Sequence, residues 1–180
     1  RAPPRASATA AEEWLTLSPT GRIRGEAEPP GSKTLPNRVL LLAALSEGVT
    51  TVENLLDSDD IRYMLGALEA LGVPVECDVA ARRCVITGRG GPLDAPGLGA
   101  GEAAELFLGN AGTAMRPLAA VLGAGRGSFV LDGTPRMRER PIGDLVDGMR
   151  QLGIDATCSD TACPPVRLES AGLKAGGVAR

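Results

Sequence analysis

The segment LFLGNAGTAMRPL, residues 106–118, places two glycines, an amide and a hydroxyl directly before an apolar run that is typical of a helix. Free N–H groups at a helix N-terminus, together with the helix dipole, favour an anion. Gly112 lets a ligand approach the backbone closely, Asn110 can donate and accept hydrogen bonds, and Thr113 is a residue type that caps helices. Arg116 lies in the first turn of the predicted helix. The segment therefore predicts an anion-binding helix start near Thr113.

A second segment, PPGSKTLPNR, has the same character before another predicted helix. Lys33 and Arg38 supply cations, and Ser32 and Thr34 supply hydroxyl groups. The pattern GxxxxGK[ST] of the phosphate-binding loop is not found here. A nucleoside triphosphate is therefore not the expected ligand of this segment.

A third segment, TPRMRERPIGD, alternates Arg136, Arg138 and Arg140 with other residues. A guanidinium group makes two-point contacts with carboxylates and phosphates. Taken alone, this stretch is better explained as a solvated loop with a local arginine–glutamate pair. Taken with the other two segments, it predicts a site for small substrates that carry several negative charges.

Acidic residues gather in NLLDSDDIRYML, where Asp57, Asp59 and Asp60 could be acid/base groups or metal ligands. We favour a structural interpretation, in which Ser58 or Asp59 caps the following helix and the acids complement its dipole.

The composition excludes several classes of function. The chain has 180 residues, 43% of them hydrophobic and only 2% aromatic, with a formal net charge of −3. Nucleic-acid binding is not expected without a basic surface, and no apolar run reaches the roughly 18 residues of a membrane span. There is no histidine, and the cysteines form no CxxC pair, so a zinc ribbon is not expected. No cofactor is expected. We expect reduced thiols at the four cysteines, Cys77, Cys84, Cys158 and Cys163.

The chain contains a duplication that predicts its fold class. Residues 37–73 and 114–154 share one order: a short apolar helix after an arginine, a closing glycine, a strand, a polar loop and an amphipathic helix ending in Leu-Gly. Two strands are predicted after each. An α/β (α+β) fold of repeated βαβαββ units is therefore expected, with units at about 31–90 and 105–170. The predicted strands cover 50–54, 74–78, 83–88, 128–132, 155–159 and 165–170.

The N-terminal part has a different pattern. Residues 1–12 contain arginine, serine, alanine and proline with no acid before Glu12, as in a disordered leader or the remnant of a transit peptide. Residues 13–30 predict two strands around a turn, followed by a Pro-Pro-Gly break. Both ends of the chain suggest a piece of a longer protein.

Four strings together resemble one family. The chain strongly resembles 5-enolpyruvylshikimate-3-phosphate synthases in the strings PGSKTLPNRVLLLAALSEG, NLLDSDDIRYMLGALEALG, LFLGNAGTAMRPL and LDGTPRMRERPIGDLV. These strings look most similar to the plastid enzymes of plants and algae. The resemblance covers about residues 14–180.

The resemblance implies an activity and an architecture. Family members transfer the enolpyruvyl group of phosphoenolpyruvate to the 5-hydroxyl of shikimate 3-phosphate and release phosphate, a step towards chorismate and aromatic amino acids. Their fold has two lobes built from six βαβαββ units. By resemblance, residues 13–30 belong to the first lobe and residues 31–180 to the second, incomplete at its C-terminus. The full-length enzyme is expected to be a monomer in the chloroplast, with the cytoplasm as the alternative.

The resemblance also implies roles for site residues. Lys33 is expected to be catalytic and to touch both substrates. Thr34 and Arg38 are expected on shikimate 3-phosphate, and Gly112 and Arg140 on phosphoenolpyruvate. The substrate-binding set is completed by Asn110, Thr113 and Arg116. Glyphosate is implied as an inhibitor that competes with phosphoenolpyruvate.

The resemblance has departures, and other functions stay open. Thr34 and Pro36 stand where the family commonly has serines. The catalytic carboxylates of the family lie beyond Arg180, so the 180 residues alone are expected to be inactive. A related enolpyruvyl transferase acts on UDP-N-acetylglucosamine, but it uses a cysteine in the loop that corresponds to residues 134–140, where this chain has none. A non-catalytic module that binds anions is the third possibility.

Overall fold

The computed structural model describes residues 17–19, 21–22, 24–27, 31–95 and 102–173. Four α-helices lie in this part of the chain: α1 (Leu35–Leu45), α2 (Asp59–Ala70), α3 (Gly112–Ala124) and α4 (Gly143–Gln151). The strands are β1 (Glu47–Val52), β2 (Val75–Asp78), β3 (Arg83–Arg89), β4 (Ala104–Phe107), β5 (Arg126–Asp132), β6 (Asp155–Thr157) and β7 (Val166–Ala171). A short 3₁₀ turn covers Met137–Glu139.

The strands form two sheets with the same internal arrangement. The first sheet has the order β1-β3-β2, and the second has the order β4-β5-β7-β6. In each, the last strand of the unit lies between two antiparallel neighbours, and β4 adds a parallel edge beside β5. The second unit is thus a complete βαβαββ repeat, and the described residues of the first give αβαββ. The predicted α/β fold and its duplication are confirmed.

Helices α1, α2 and α3 pack against one another and carry much of the core. The core is aliphatic, as the low aromatic content predicts, and Phe129 is the one aromatic side chain that is fully buried among the described residues. Leu40 of α1 and Leu118 of α3 occupy equivalent places in the two units, and both have no exposed surface. Burial of these apolar faces fixes the starts of three helices relative to one another. Among the described residues, no helix is long and apolar enough to span a membrane.

The expectation of four reduced cysteines is wrong for two of them. Cys77 of β2 and Cys84 of β3 form a disulfide, while Cys158 and Cys163 are free thiols. The antiparallel register places Cys77 directly opposite Cys84, and side chains in that relation lie within reach of each other. Spacing along the chain could not show this register.

The N-terminal strands predicted for residues 13–30 are not found at the described positions 17–19, 21–22 and 24–27. A strand needs a neighbouring backbone for its hydrogen bonds, and no described strand pairs with these positions. Leu17 is accordingly exposed. The other positions of this segment, and the leader at 1–12, lie outside the described residues.

Candidate functional site

The site lies where the N-terminal ends of α1, α2 and α3 meet. Lys33 precedes α1, Asp60 lies in the first turn of α2, and Thr113 lies in the first turn of α3. Nζ of Lys33 is 3.5 Å from Oδ2 of Asp60, and the Thr113 hydroxyl donates to the same oxygen at 3.3 Å. Nδ2 of Asn37 donates to that hydroxyl at 2.8 Å. Packing of the two units therefore brings residues of the first and second predicted segments together.

The start of α3 differs from the prediction in one respect. The helix begins at Gly112, its N-cap residue is Ala111, and no side chain caps it. The expected capping role of Thr113 is wrong, because Thr113 is already inside the first turn and its hydroxyl is bonded to Asn37 and Asp60. Pro117 is accommodated inside the helix.

The loop before α3 is joined to the arginine loop after β5. Leu108 donates its backbone N–H to Asp132 at 2.8 Å, and Thr134 donates to the carbonyl of Gly109 at 3.0 Å. Gly109 has φ +55°, and a Cβ atom there would lie 2.0 Å from the Tyr63 ring. A glycine is therefore required both for the turn and for the contact with Tyr63.

Arg140 lies on the segment at residues 109–113, which we call the glycine segment. Its Nη1 donates to the backbone carbonyl of Asn110 at 3.0 Å and approaches the side-chain Oδ1 of that residue at 3.4 Å. A Cβ atom on Gly112 would lie only 2.5 Å from Nη2 of Arg140. The guanidinium group thus rests against the backbone at the α3 N-terminus, so that a cation and the positive end of a helix dipole adjoin each other.

The other two arginines of that loop have local partners. Arg136 pairs with Glu139 at 2.7 Å, as in the solvated-loop interpretation. Arg138 forms a two-point contact with Asp132, with its Nε 2.9 Å from Oδ1. This hydrogen bonding holds the pKa of the Asp132 carboxyl below its usual range. Of the three alternating arginines, only Arg140 contacts the glycine segment.

Arg116 of α3 also contacts the loop that carries Arg140. It is exposed on α3, and its Nη2 donates to the backbone carbonyl of Pro141, the residue after Arg140. Arg116 therefore ties α3 to the segment that carries Arg140.

The segment before α1 is held by a hydroxyl group. Oγ of Ser32 accepts hydrogen bonds from the backbone N–H of Thr34 at 3.3 Å and of Leu35 at 3.2 Å. Thr34 occupies the N-cap position but makes no side-chain cap bond. Pro36 is accommodated in the first turn, and Arg38 is exposed, without an ion pair among the described residues. Lys33, Thr34 and Arg38 thus face outward at one helix start.

The acidic segment is only partly as predicted. Ser58 is the N-cap residue of α2, and Asp59 and Asp60 are in the first turn, but no side-chain cap bond forms. Asp57 instead pairs with Arg62 at 2.7 Å, and hydrogen bonding from Arg62 lowers the pKa of Asp57. No group of acidic or cysteine side chains in the described part of the chain could hold a metal ion.

Sequence reasoning missed two residues of this site. Among the described residues, Asn37 is the one polar residue that is fully buried in the core, and the favoured structural interpretation of Asp60 gave it a role in the helix dipole rather than in the site. A signal for Asn37 existed, since an amide three residues before Leu40 lies on the apolar face of α1. The contact of Asp60 with Lys33 and Thr113 had no signal in the sequence.

Comparisons with known proteins show the family of the chain. The family pattern of EPSP synthase (3-phosphoshikimate 1-carboxyvinyltransferase) matches residues 17–179. A chloroplastic 3-phosphoshikimate 1-carboxyvinyltransferase of Petunia hybrida is 57% identical over 166 residues, which are 91% of this chain and 32% of that protein. The bacterial enzyme of Vibrio vulnificus is 53% identical over 167 residues, 92% of this chain and 38% of its own length.

A solved structure of EPSP synthase from Acinetobacter baumannii has the same fold. It superposes with a TM-score of 0.71 at 27% sequence identity, over 83% of this chain and 33% of that one. The fold of the two repeat units is that of the EPSP synthase structures. The chain belongs to the EPSP synthase family, and it spans about a third of the length of the relatives that it matches.

Proposed function

We propose that these residues form part of the substrate site of an enzyme that transfers the enolpyruvyl group of phosphoenolpyruvate to the 5-hydroxyl of shikimate 3-phosphate, releasing phosphate. The observation that carries the proposal is the Arg140 guanidinium, which lies on Gly112 at the N-terminus of α3. A fixed guanidinium beside the positive end of a helix dipole suits a ligand that carries both a carboxylate and a phosphate.

The proposed roles divide the site between two anions. Gly112 and Arg140 bind phosphoenolpyruvate, Thr34 and Arg38 bind shikimate 3-phosphate, and Lys33 touches both. Lys33 is the proposed catalytic residue, because a cation shared by both substrates can stabilise charge that develops between them. The remaining residues proposed to line the site are Asn110, Thr113 and Arg116.

The wider setting is part of the same proposal. Residues 31–180 belong to the second lobe and the preceding segment to the first, and lobe closure would exclude water from the bound anions. Glyphosate would compete for the phosphoenolpyruvate position. We propose a monomer located in the chloroplast, supported by the chloroplastic plant relatives, with the cytoplasm as the alternative because bacterial proteins are nearly as similar.

The test is a chimera in which residues 17–173 replace the matching segment of the petunia relative, alongside the 180-residue chain alone. Phosphate release from phosphoenolpyruvate is followed with shikimate 3-phosphate or UDP-N-acetylglucosamine as acceptor. We expect release with shikimate 3-phosphate only, and only in the chimera, since the family's catalytic carboxylates lie outside these residues.

The other outcomes would each indicate a different function. Release with the nucleotide sugar would identify the related transferase and contradict the proposal. A folded chimera that binds phosphoenolpyruvate but releases no phosphate would indicate an anion-binding module. Control chimeras with the unaltered petunia segment show that the joins themselves permit activity.

A further inference from the structure

Asp60 connects the proposed catalytic residue Lys33 with Thr113 and, through Thr113, with the buried Asn37. Its Oδ2 lies 3.5 Å from Nζ of Lys33 and accepts the Thr113 hydroxyl at 3.3 Å. The same hydroxyl meets Nδ2 of Asn37 at 2.8 Å. Four side chains from three helix starts thus form one continuous set of polar contacts, which we call the Asp60 network (Lys33, Asn37, Asp60 and Thr113).

The direction of these hydrogen bonds follows from the chemistry of the groups. A carboxylate can only accept, so the Thr113 hydroxyl donates its single hydrogen to Asp60. The oxygen of Thr113 is then left to accept from the amide of Asn37. Because Asn37 is fully buried, this amide is held by packing and orients the Thr113 hydroxyl towards Asp60.

Burial within the Asp60 network changes from one end to the other. Asn37 has no exposed surface, the Asp60 side chain is 15% exposed, and the Lys33 side chain is 62% exposed. The carboxylate is therefore fixed from the buried side, while the ammonium at its other side is accessible to a ligand. A lysine on a flexible stem loses less conformational freedom on binding an anion when a fixed partner already restricts it.

We propose that Asp60 is a positioning residue that holds the Lys33 ammonium beside the N-terminus of α3. Asp60 does not itself touch substrate; it acts through Lys33, and Thr113 and Asn37 fix its carboxylate. This inference rests on the proposed function of Lys33. It adds positioning roles for Asp60 and Asn37, which that function does not include.

A first experiment tests the contact without any activity. Lys33 and Lys174 are the two lysines of the chain, so acylation of Lys33 can be measured by mass spectrometry relative to Lys174. Asp60→Asn keeps an oxygen that can accept from Thr113 but removes the charge that holds Lys33. We expect the Lys33/Lys174 acylation ratio in the 180-residue chain to rise about two- to fivefold.

The matched control is Asp57→Asn. Asp57 belongs to the same acidic segment but pairs with Arg62, so its loss should leave the ratio unchanged. An unchanged ratio in Asp60→Asn, or an equal rise in both variants, would overturn the inference.

A second experiment separates positioning from structure in the petunia chimera. Asp60→Asn should raise KM for both substrates about three- to tenfold and lower kcat by a similar factor, because Lys33 touches both substrates and its ammonium is retained but less well placed. Asp60→Ala should in addition lower the melting temperature, since it also removes the acceptor of Thr113.

An unaltered KM in a well-folded Asp60→Asn chimera would contradict positioning. A parent chimera without turnover would contradict the proposed function instead, and the acylation ratio would still decide whether Asp60 holds Lys33.

Discussion

The two units share one fold but differ in charge at the same place in the repeat. Between β1 and the end of the first turn of α2, the first unit carries Asp57 and Asp60, whereas the second unit carries Arg136, Arg138 and Arg140 between β5 and α4. In the first unit Asp57 pairs locally and Asp60 reaches the helix starts. In the second unit Arg136 and Arg138 pair locally, and Arg140 reaches the start of α3. Duplication thus preserved the packing, while substitution at equivalent loops produced an acid that holds a lysine and an arginine that meets a glycine.

The largest expected effect tests the specialisation of the arginine loop. In the chimera, Arg140→Ala should lower kcat/KM for phosphoenolpyruvate by about 100- to 1000-fold, because a fixed cation at the helix start is lost. Phosphate release measures the effect. Arg136→Ala is the control, since Arg136 pairs only with Glu139, and it should change the value less than about twofold. Equal losses in the two variants would mean that the loop acts as a general positive surface.

The next largest effect tests the equivalence of the two cores. Leu40→Ala and Leu118→Ala should each lower the free energy of unfolding by about 3 kcal/mol, because both side chains are completely buried at equivalent helix positions. Urea unfolding of the chain measures both. Leu42→Ala, which alters an exposed residue of α1, should cost less than about 0.5 kcal/mol. A marked difference between Leu40 and Leu118 would break the comparison of the units.

A smaller effect is expected where a glycine meets an arginine. The methyl group of Gly112→Ala would lie 2.5 Å from Nη2 of Arg140, so the guanidinium must move. We expect KM for phosphoenolpyruvate to rise about tenfold in the chimera and glyphosate inhibition to weaken, with less effect on shikimate 3-phosphate.

The matched control is Gly148→Ala in α4, where an added Cβ atom would meet nothing within 4 Å. Inhibition assays on both chimeras measure the difference. Glyphosate inhibition that is unchanged by Gly112→Ala would show that Arg140 adjusts without affecting the pocket.

The smallest effect concerns the local charge pair in the second unit. Asp132→Asn should lower the melting temperature by at most about 2 °C at neutral pH, because its partner Arg138 is largely exposed. The pKa of Asp132 lies below its ordinary value of 3.8, so its contribution is present above that pH and is lost as the pH falls through the lowered pKa. Melting curves of parent and variant should therefore converge in acid; a gap that widens on acidification would contradict this sign.

The repeat and most of its elements could be predicted from local patterns. Ile61, Met64 and Leu68 show the helical spacing of α2, and each strand predicted within the two repeat units overlaps an observed one. These patterns are local because the apolar residues on the buried face of a helix or strand recur with the period of that element.

The contacts within the site could not be predicted in this way. Asn37 and Thr113 are 76 residues apart, and Thr113 and Asp60 are 53 apart, so their bonds depend on how α1, α2 and α3 pack. The alternation of the three arginines likewise could not show which of them reaches the helix starts. The 3₁₀ turn at Met137–Glu139 directs them to different partners.

The contact between Tyr63 and Gly109 has a spectroscopic consequence. Tyr63 is the chain's single tyrosine, and its ring packs against the glycine segment and edge-on to Phe107, with ring centroids 5.7 Å apart. Its ultraviolet absorption and near-ultraviolet circular dichroism therefore depend on the conformation of the residues just before α3. The molecule thus carries a native optical reporter next to the proposed anion site, and ligand binding there is expected to change its signal without an added label.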